Sequence, residues 1–167
     1  MTNPTKIAIY GAGGFAREVA WLLSTFEHDG TYQILGYVTD GEIAQSELNA
    51  LPVMSWERFA HSHPDSLVTI AVGNPQTRAT LAAKCAAAGR SFATIVHRSV
   101  ELSEFVEIAA GAILCSGTIL TVNIKIAPHV HINLGCTIGH DVIIGEFSTL
   151  SPGVHVSGNV HIGKSVY

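Results

Sequence analysis

Three residues in the second half of the sequence have the types and the spacing that acid–base chemistry requires. His140 and Asp141 are adjacent, and Gly158 follows His140 by 18 residues. An imidazole held by a carboxylate can accept a proton near neutral pH. A glycine beside it leaves a notch and a reachable backbone N–H, which can stabilise a developing oxyanion. Brought together, these groups suit acyl transfer, in which the base deprotonates an acceptor amine or hydroxyl as it attacks a thioester.

A repeat of six residues predicts the element that brings them together. From residue 96 onward every sixth residue is aliphatic, and the twelve positions are Val96, Leu102, Ile108, Leu114, Leu120, Ile126, Ile132, Ile138, Ile144, Leu150, Val156 and Ile162. Neither an α-helix nor a plain strand has this period, whereas a hexapeptide-repeat β-helix does. Three hexads make one triangular coil, so we expect four stacked coils, 96–113, 114–131, 132–149 and 150–167. Each aliphatic side chain is expected to point into the prism, where neighbouring coils bury it.

The hexad register predicts that His140 and Asp141 lie outside this core. They occupy the third and fourth places of their hexad, which form an outward-pointing corner of the triangle. Gly158 then lies one coil above His140, and Asn123 and Asn159 flank Asp141. The alternative is that His140 is one of several surface histidines of the repeat, the others being His97, His129, His131, His155 and His161.

A zinc site built from three histidines competes with acid–base catalysis in this half. The ligands of zinc must converge within about 2 Å of one point. The histidines of the repeat fall in different phases of the coil, and no two of them are 18 residues apart. We therefore expect no metal site within one chain, and ligands from neighbouring subunits stay an alternative.

The first ninety residues alternate strand and helix signals. Apolar runs at 6–10, 32–40 and 67–72 predict strands, while stretches at 15–26 and 76–89 predict helices. Strands separated by helices imply βαβ units and a parallel sheet. The predicted fold class is an α/β Rossmann-like half domain over 1–91, followed by a parallel β-helix over 92–167.

A glycine-rich loop after the first strand predicts a phosphate site. The segment GAGGFA at 11–16 fits G-x-G-x-x-A, in which glycines let the backbone approach a phosphate at a helix N-terminus. Asp40 ends the second strand, where an acidic residue commonly binds a ribose or base. Gly73 and Asn74 follow the third strand, on the edge where ligands bind. Because only three to four strands are expected, a mononucleotide such as the nucleoside diphosphate of an activated sugar is favoured over NAD.

Two alternatives for this loop stay open. The glycines of 11–16 serve only a tight turn, or the loop binds NAD in a nicotinamide-dependent oxidoreductase. Arg17 and Arg78 could reach phosphates, but solvated helix positions explain both residues more simply.

Composition argues against several classes of protein. The 167 residues are 47% hydrophobic and 13% charged, which disfavours disorder, and the net charge of −4 disfavours a nucleic-acid partner. No apolar run approaches the roughly 20 residues of a membrane span, and the N-terminus lacks a signal pattern, so we expect a cytoplasmic protein without a membrane partner. Cys85, Cys115 and Cys136 form no C-x-x-C pair and are interpreted as small buried hydrophobes.

Several segments together resemble the sugar O-acyltransferase family, which includes sialic acid O-acetyltransferases and bacillosamine-type UDP-4-amino-sugar N-acetyltransferases. The segments are IYGAGGFAREVAWLL, LGYVTD, AVGNPQTR, SFATIVHRSV and NLGCTIGHDVIIGEFSTLSPGVHVSGNVHIGKSVY. The resemblance implies a homotrimer of left-handed β-helices packed side by side. It also implies acetyl-CoA in the cleft between subunits and a nucleotide-linked sugar held by the N-terminal domain.

The resemblance implies roles for individual residues as well. His140 corresponds to the general base, Asp141 to the residue that orients it, and Gly158 to the N–H donor for the thioester oxygen. Thr149 stands where bacillosamine-type enzymes have a second histidine near coenzyme A, so we place it with Gly158 among the cofactor-binding residues. Phe15 stands where many members have histidine. The expected substrate-binding residues are Gly11, Gly13, Gly14, Phe15, Asp40, Gly73, Asn74 and Asn133.

The sequence therefore predicts an acetyl-CoA-dependent acetyltransferase that acts on an amino or hydroxyl group of a nucleotide-linked sugar or sialic acid. Family members usually continue for two or more further coils that hold much of the coenzyme, whereas this chain ends on the last residue of a hexad. We expect a C-terminal truncation, or an oligomer or partner that covers the last coil. The alternative function is a sugar-nucleotide-binding or scaffold protein that lacks the cofactor half.

Overall fold

The chain folds into two compact units in the computed structural model, which describes residues 4–27, 30–41, 43 and 45–167. One unit contains the residues up to Val72 together with Thr80–Ala93. The other contains Gly73–Ala79 and Thr94–Tyr167. The short segment Gly73–Ala79 thus groups with the repeat half, although it precedes the boundary predicted at residue 91.

The first unit is built on a five-stranded sheet with the order β3-β4-β2-β1-β5. All neighbouring pairs are parallel except β3 with β4, which form an antiparallel hairpin. The strands are β1 Thr5–Tyr10, β2 Tyr32–Thr39, β3 Glu47–Leu48, β4 Leu51–Ser55 and β5 Leu67–Ile70. The helices are α1 Gly14–Glu27, α2 Trp56–Ser62 and α3 Pro75–Ala87, and the first residues of α3 belong to the second unit.

The apolar pattern explains why these elements form. Residues 7–10 of β1 are all buried, as expected for a strand covered on both faces. Helix α1 buries Val19, Leu22 and Leu23 on one face and exposes Trp21 on the other. The five predicted elements of this half are confirmed, but the sequence did not predict β3, β4 or α2, so the estimate of three to four strands is too low. β3 has two residues and β4 contains Pro52, and such short segments give little periodic signal.

The second unit is a left-handed parallel β-helix of three four-stranded sheets. Its strands are β6 Ile95–Val96, β7 Glu101–Leu102, β8 Val106–Ile108, β9 Ile113–Leu114, β10 Ile119–Leu120, β11 Ile124–Ile126, β12 His131–Ile132, β13 Thr137–Ile138, β14 Ile143–Ile144, β15 Thr149–Leu150, β16 His155–Val156 and β17 His161–Ile162. Partners in neighbouring coils are 18 residues apart, as in Leu120↔Ile138 and Ile138↔Val156. The four predicted coils and their register are confirmed.

The interior of the prism is filled by the predicted aliphatic ladder. Leu114, Ile132 and Ile144 are fully buried in one continuous core, and each such side chain contributes about 1.5–3 kcal/mol through burial. Leu102 departs from the prediction, since 43% of it is exposed. It lies in the first coil, and a residue at the end of a stacked array has a neighbouring coil on one side only.

Cys85, Cys115 and Cys136 are buried, as interpreted from the sequence. Among the described residues, no helix has the length and apolar character that crossing a bilayer would need.

Candidate functional site

The corner that carries His140 and Asp141 forms a short hydrogen-bonded chain. The two residues form the turn between β13 and β14, as the hexad register predicts. Asp141 has φ = 58°, a conformation that Asp and Asn tolerate better than most residues. Its Oδ2 lies 2.7 Å from Nδ1 of His140, and its Oδ1 accepts a 3.1 Å hydrogen bond from Nδ2 of Asn123, one coil below. Both partners stay accessible, with 57% of the His140 side chain and 45% of the Asp141 side chain exposed.

The charge of Asp141 determines which nitrogen of His140 can act as a base. Hydrogen bonds from His140 and Asn123 lower the pKa of the Asp141 carboxyl, so it is ionised at neutral pH. An ionised carboxylate only accepts hydrogen bonds, so Nδ1 carries the proton that it donates to Asp141. Nε2 of neutral His140 then has a free lone pair. This is the tautomer that a general base needs.

Gly158 supplies the predicted notch directly at this nitrogen. A Cβ added to Gly158 would lie 2.5 Å from Nε2 and 2.6 Å from Cε1 of His140, so no side chain fits there without moving the ring. The N–H of Asn159 donates to the carbonyl of His140 over 2.8 Å, which ties the two coils together. Within the described part of the chain, the N–H of Gly158 has no hydrogen-bond acceptor. The His140 ring thus packs against a residue whose backbone N–H is available, next to the proton acceptor Nε2.

The glycine loop of the first unit contains glycines of two kinds. Gly11 has φ = 120°, and a Cβ there would lie 2.9 Å from the carbonyl oxygen of Ala71, so the turn itself requires glycine. Gly13 has no heavy atom within 4 Å of an added Cβ. Gly14 begins α1, and Phe15 is half-buried behind it. The open space at Gly13, at the start of a helix, leaves room for the approach of a phosphate.

Asp40 lies at the carboxyl end of β2 within a cluster of four side chains. Its Oδ1 accepts hydrogen bonds of 2.6 Å from the Tyr10 hydroxyl and 2.6 Å from Nζ of Lys84. The ring of Tyr10 stacks on Trp56, with centroids 5.3 Å apart and planes 12° apart. Burial pushes the pKa of Asp40 upward, but the hydrogen bonds from Lys84 and Tyr10 outweigh it and hold the pKa below its ordinary value. Burial and the bond to Asp40 raise the pKa of Tyr10.

Comparison with known proteins shows which family the chain resembles. Residues 6–85 match the PglD N-terminal domain family. The chain is 26% identical over 162 residues to GDP-perosamine N-acetyltransferase of Escherichia coli O157:H7. This match covers 95% of this chain and 73% of that protein. The structure of WeeI from Acinetobacter baumannii AYE superposes with a TM-score of 0.85 and 33% identity, over 95% of this chain and 76% of WeeI.

The chain belongs to the hexapeptide-repeat family of sugar acetyltransferases. The acetyltransferase domain of PglB from Neisseria gonorrhoeae FA1090, solved in complex with acetyl coenzyme A, has the same fold. It superposes with a TM-score of 0.56 and 23% identity, over 98% of this chain and 90% of that domain. Membership of this family favours an enzyme over a scaffold protein and over an oxidoreductase.

In this sugar acetyltransferase, three residues that are predicted to bind ligands do not belong to the His140 corner. Thr149 lies on β15, in a different sheet from β13 and β14, and its buried hydroxyl donates to the carbonyl of Gly73 over 3.4 Å. Asn133 is buried, and its Nδ2 donates to the carbonyl of Leu150 over 2.8 Å. Asn74 accepts a 2.9 Å hydrogen bond at Oδ1 from the N–H of Thr77 and caps the start of α3. Their assignments as ligand-binding residues stay predictions.

The expectation that Arg78 is a solvated helix residue is wrong, because Arg78 is fully buried in the second unit. Its Nη1 donates to the carbonyl of Gly73 and to Nδ1 of His131, both over 3.0 Å. Its Nη2 donates to Oγ1 of Thr149 over 2.9 Å and to the carbonyl of Phe147. Burial lowers the pKa of Arg78 to about 10, which leaves it charged at neutral pH. Arg17, in contrast, is exposed as expected.

Two histidines that were expected at the surface are buried instead. His131 is fully buried against Arg78, and its Nδ1 must be an acceptor because a guanidinium only donates. His129 is buried above Gly111 and stacks on Phe147, with centroids 5.1 Å apart. His97, His155 and His161 are partly or largely exposed. In the described ranges, no three His, Cys, Asp or Glu side chains group closely enough to hold a metal ion.

Sequence reasoning missed the side chains that surround Asp40. Tyr10 could have been found, because it is the last residue of β1 and so lies at the carboxyl edge of the sheet. Trp56 follows β4, which was not predicted. Lys84 gave no signal, since a lysine on an alanine-rich helix is expected to be solvated.

Proposed function

We propose that this chain transfers an acetyl group from acetyl-CoA to an amino or hydroxyl group of a nucleotide-linked sugar, with His140 as the general base. The observation that carries the proposal is the packing of the free Nε2 of His140 against Gly158, whose backbone N–H has no acceptor among the described residues. The relative GDP-perosamine N-acetyltransferase and the acetyl-CoA complex of the PglB domain support the reaction type and the donor.

The roles of the chain's own residues follow from the corner geometry. The amine nitrogen or hydroxyl oxygen of the sugar attacks the acyl carbon. As it attacks, Nε2 of His140 takes up the proton that this atom loses. The N–H of Gly158 donates to the oxygen on which negative charge develops. Asp141 holds the imidazole in orientation and stabilises the imidazolium that forms, and Asn123 holds Asp141. The protonated His140 then gives its proton to the departing sulfur. Acetyl-CoA supplies the acetyl group as an activated thioester.

The nucleotide end of the substrate is assigned to the first unit, within the predicted domain 1–91. The open backbone at Gly13 and the helix N-terminus suit the phosphates. The ionised carboxylate of Asp40, at the carboxyl end of β2, suits an N–H or O–H group of the nucleoside. Gly14, Phe15, Gly73, Asn74 and Asn133 stay further substrate-binding predictions, and Gly158 and Thr149 stay the cofactor-binding ones. The β-helix over 92–167 is the proposed acyl-transfer domain.

We propose a homotrimer in which the His140 corner lies at the seam between subunits. The two sheets that meet at this corner each present an exposed isoleucine on the outer face, Ile119 on β10 and Ile143 on β14. The outward neighbours in the same columns are polar or charged, among them Thr137 and Lys125. In the proposed trimer a neighbouring subunit at this corner would cover these two exposed side chains.

The test is the rate of acetyl transfer by a His140→Ala variant. Loss of a general base should lower kcat by about 10²–10⁴-fold. The His140 side chain is exposed, so the thermal unfolding temperature should not change. His61→Ala is the control, since this histidine is exposed on α2 of the first unit and lies outside the β-helix. Coenzyme A release is measured with UDP-, CMP-, dTDP- and GDP-linked amino sugars. A near-normal rate in His140→Ala would rule out the proposed role.

A further inference from the structure

We infer that Tyr10 and Lys84 make Asp40 selective for a nucleobase with a single N–H donor on its pairing edge, uracil or thymine, over guanine. This inference rests on the proposed function, which places a nucleotide at the sheet edge but leaves its base open. It assigns Tyr10 and Lys84 as positioning residues that determine specificity without being part of the acyl-transfer chemistry.

One oxygen of the Asp40 carboxylate is already used by the protein. Oδ1 accepts from the Tyr10 hydroxyl and from the Lys84 ammonium, each over 2.6 Å. A carboxylate offers about four lone-pair sites, two on each oxygen, so two donors saturate Oδ1. A ligand can therefore reach only Oδ2 with a good hydrogen bond.

The second oxygen of Asp40 is the one that the described side chains leave for a ligand. The Asp40 side chain is 47% exposed, and among the described residues no donor lies on Oδ2. Because Asp40 is held ionised, Oδ2 is an acceptor only, and its partner must bring an N–H or O–H. Asp40 thus presents one acceptor site rather than the two parallel sites of a free carboxylate.

The donors on Oδ1 are held in place by packing. The Tyr10 ring is buried and stacked on Trp56, which fixes the direction of its hydroxyl. The Lys84 ammonium lies 5.1 Å from the centroid of the Trp56 ring, within the distance of a cation–π interaction. Neither donor can leave Oδ1 without losing a second contact, so a ligand would not displace them easily.

Nucleobases differ in how many hydrogen-bond acceptors they require from a carboxylate such as that of Asp40. The pairing edge of guanine places N1–H and N2–H side by side, and a carboxylate satisfies both only when both of its oxygens are free. Uracil and thymine have one imide N–H, which Oδ2 alone can accept. Guanine at this site would leave one N–H without an acceptor on Asp40, and an unpaired polar group lowers affinity.

The experiment is calorimetric titration of the whole chain with UDP, dTDP and GDP, without acetyl-CoA. We expect UDP and dTDP to bind roughly tenfold tighter than GDP, the size of effect that one hydrogen-bonded base contact supplies. The double variant Tyr10→Phe/Lys84→Met frees Oδ1, and the ratio of UDP to GDP affinity should fall towards one. Lys84→Met alone removes one of the two donors on Oδ1 and should give an intermediate ratio. Lys6→Met is the control, since Lys6 is exposed at the opposite end of β1, and its ratio should equal that of the unmodified chain.

The outcomes separate this inference from the proposed function. Equal or tighter binding of GDP by the unmodified chain overturns the selectivity but leaves acetyl transfer intact, because transfer is measured independently through His140. An unchanged ratio in both Lys84 variants overturns the role of the saturated Oδ1. Absence of binding by all three nucleotides overturns the inference together with the nucleotide site.

Discussion

At the scale of single residues, the chemistry of the site depends on what each imidazole contacts. His140 and His129 are both corner residues of the same β-helix, and each lies beside a glycine of a neighbouring coil. His140 is exposed and bonded to a carboxylate, so it can exchange protons with a ligand. His129 is buried and stacked on Phe147, 3° from parallel, so it cannot. Burial, rather than position in the repeat, separates the proposed catalytic histidine from the structural one.

His129 should make stability depend on pH. Burial, with a smaller effect of the Arg78 guanidinium, lowers its pKa to about 4, whereas an unfolded histidine titrates near 6.5. Between these values the unfolded chain binds a proton that the folded chain does not, so stability is complete above pH 6.5 and falls as the pH drops towards 4. The free energy of unfolding should fall by about 2–3 kcal/mol through His129 between pH 7 and pH 4.5.

Urea unfolding at these two pH values and one fixed protein concentration measures this effect. His129→Gln should reduce the pH-dependent loss by about that amount. His61→Gln, which removes an exposed histidine of the first unit, should keep the full loss. An equal loss in all three proteins would contradict the assignment.

At the scale of elements, coil stacking and a single buried arginine position the residues of the second unit. The register of 18 residues sets Gly158 over His140 and Asn123 under Asp141. Arg78 holds the segment Gly73–Ala79 within this unit through bonds to β12, β15 and the preceding turn. The guanidinium suits this task, because its planar fork donates in several fixed directions at once.

Replacement of Arg78 should lower the free energy of unfolding, even though the variant removes a buried charge. Arg78→Met removes the Arg78 donors from the carbonyl oxygen of Phe147 and from Nδ1 of His131, and it leaves the Gly73 carbonyl with the 3.4 Å bond from Thr149. Each buried unsatisfied group costs about 1–3 kcal/mol, so we expect the free energy of unfolding to fall by about 3 kcal/mol or more. Arg78→Lys, which keeps the charge but loses the fork, should recover less than half of this loss. Arg17→Met, at an exposed position, should stay within about 0.5 kcal/mol of the unmodified chain in the same urea titration.

At the scale of the whole molecule, the proposed trimer gives the exposed apolar residues of the β-helix a role. Ile143 is 43% exposed on a sheet whose other outward residues are Glu107, Lys125 and His161. A single aliphatic residue in such a column has no role in the core of its own chain. It suits contact with a second copy of the chain beside the His140 corner.

Substitution of Ile143 should therefore dissociate the assembly and lower activity together. Sedimentation velocity is expected to give three times the 17.7 kDa chain mass for the unmodified protein and one times that mass for Ile143→Lys. Circular dichroism of the variant should be unchanged, because Ile143 is not part of the buried core. Ile43→Lys, an exposed isoleucine of the first unit, is the control and should stay trimeric. A trimeric Ile143→Lys with normal activity would exclude this surface as the interface.

The sequence alone determined the β-helix, its four coils, and the pairing of His140 with Asp141 and Gly158. It could do so because the aliphatic ladder recurs with a strict period, and a strict period converts sequence separation into spatial distance. Family resemblance extended this to the reaction type. In the first unit the same reasoning located β1, α1, β2, β5 and α3 but missed the hairpin and α2, whose segments are short and lack periodicity.

Only the tertiary structure decided the partners of groups that no repeat relates. The burial of Arg78, His129 and His131 depends on segments that meet across tens of residues, as Arg78 meets His131 over a separation of 53. The saturation of Asp40 by Tyr10 and Lys84 arises in the same way, across separations of 30 and 44 residues. Side-chain type and local pattern are the same for a solvated and a buried arginine, because the free energy that distinguishes them comes from neighbours that only folding supplies.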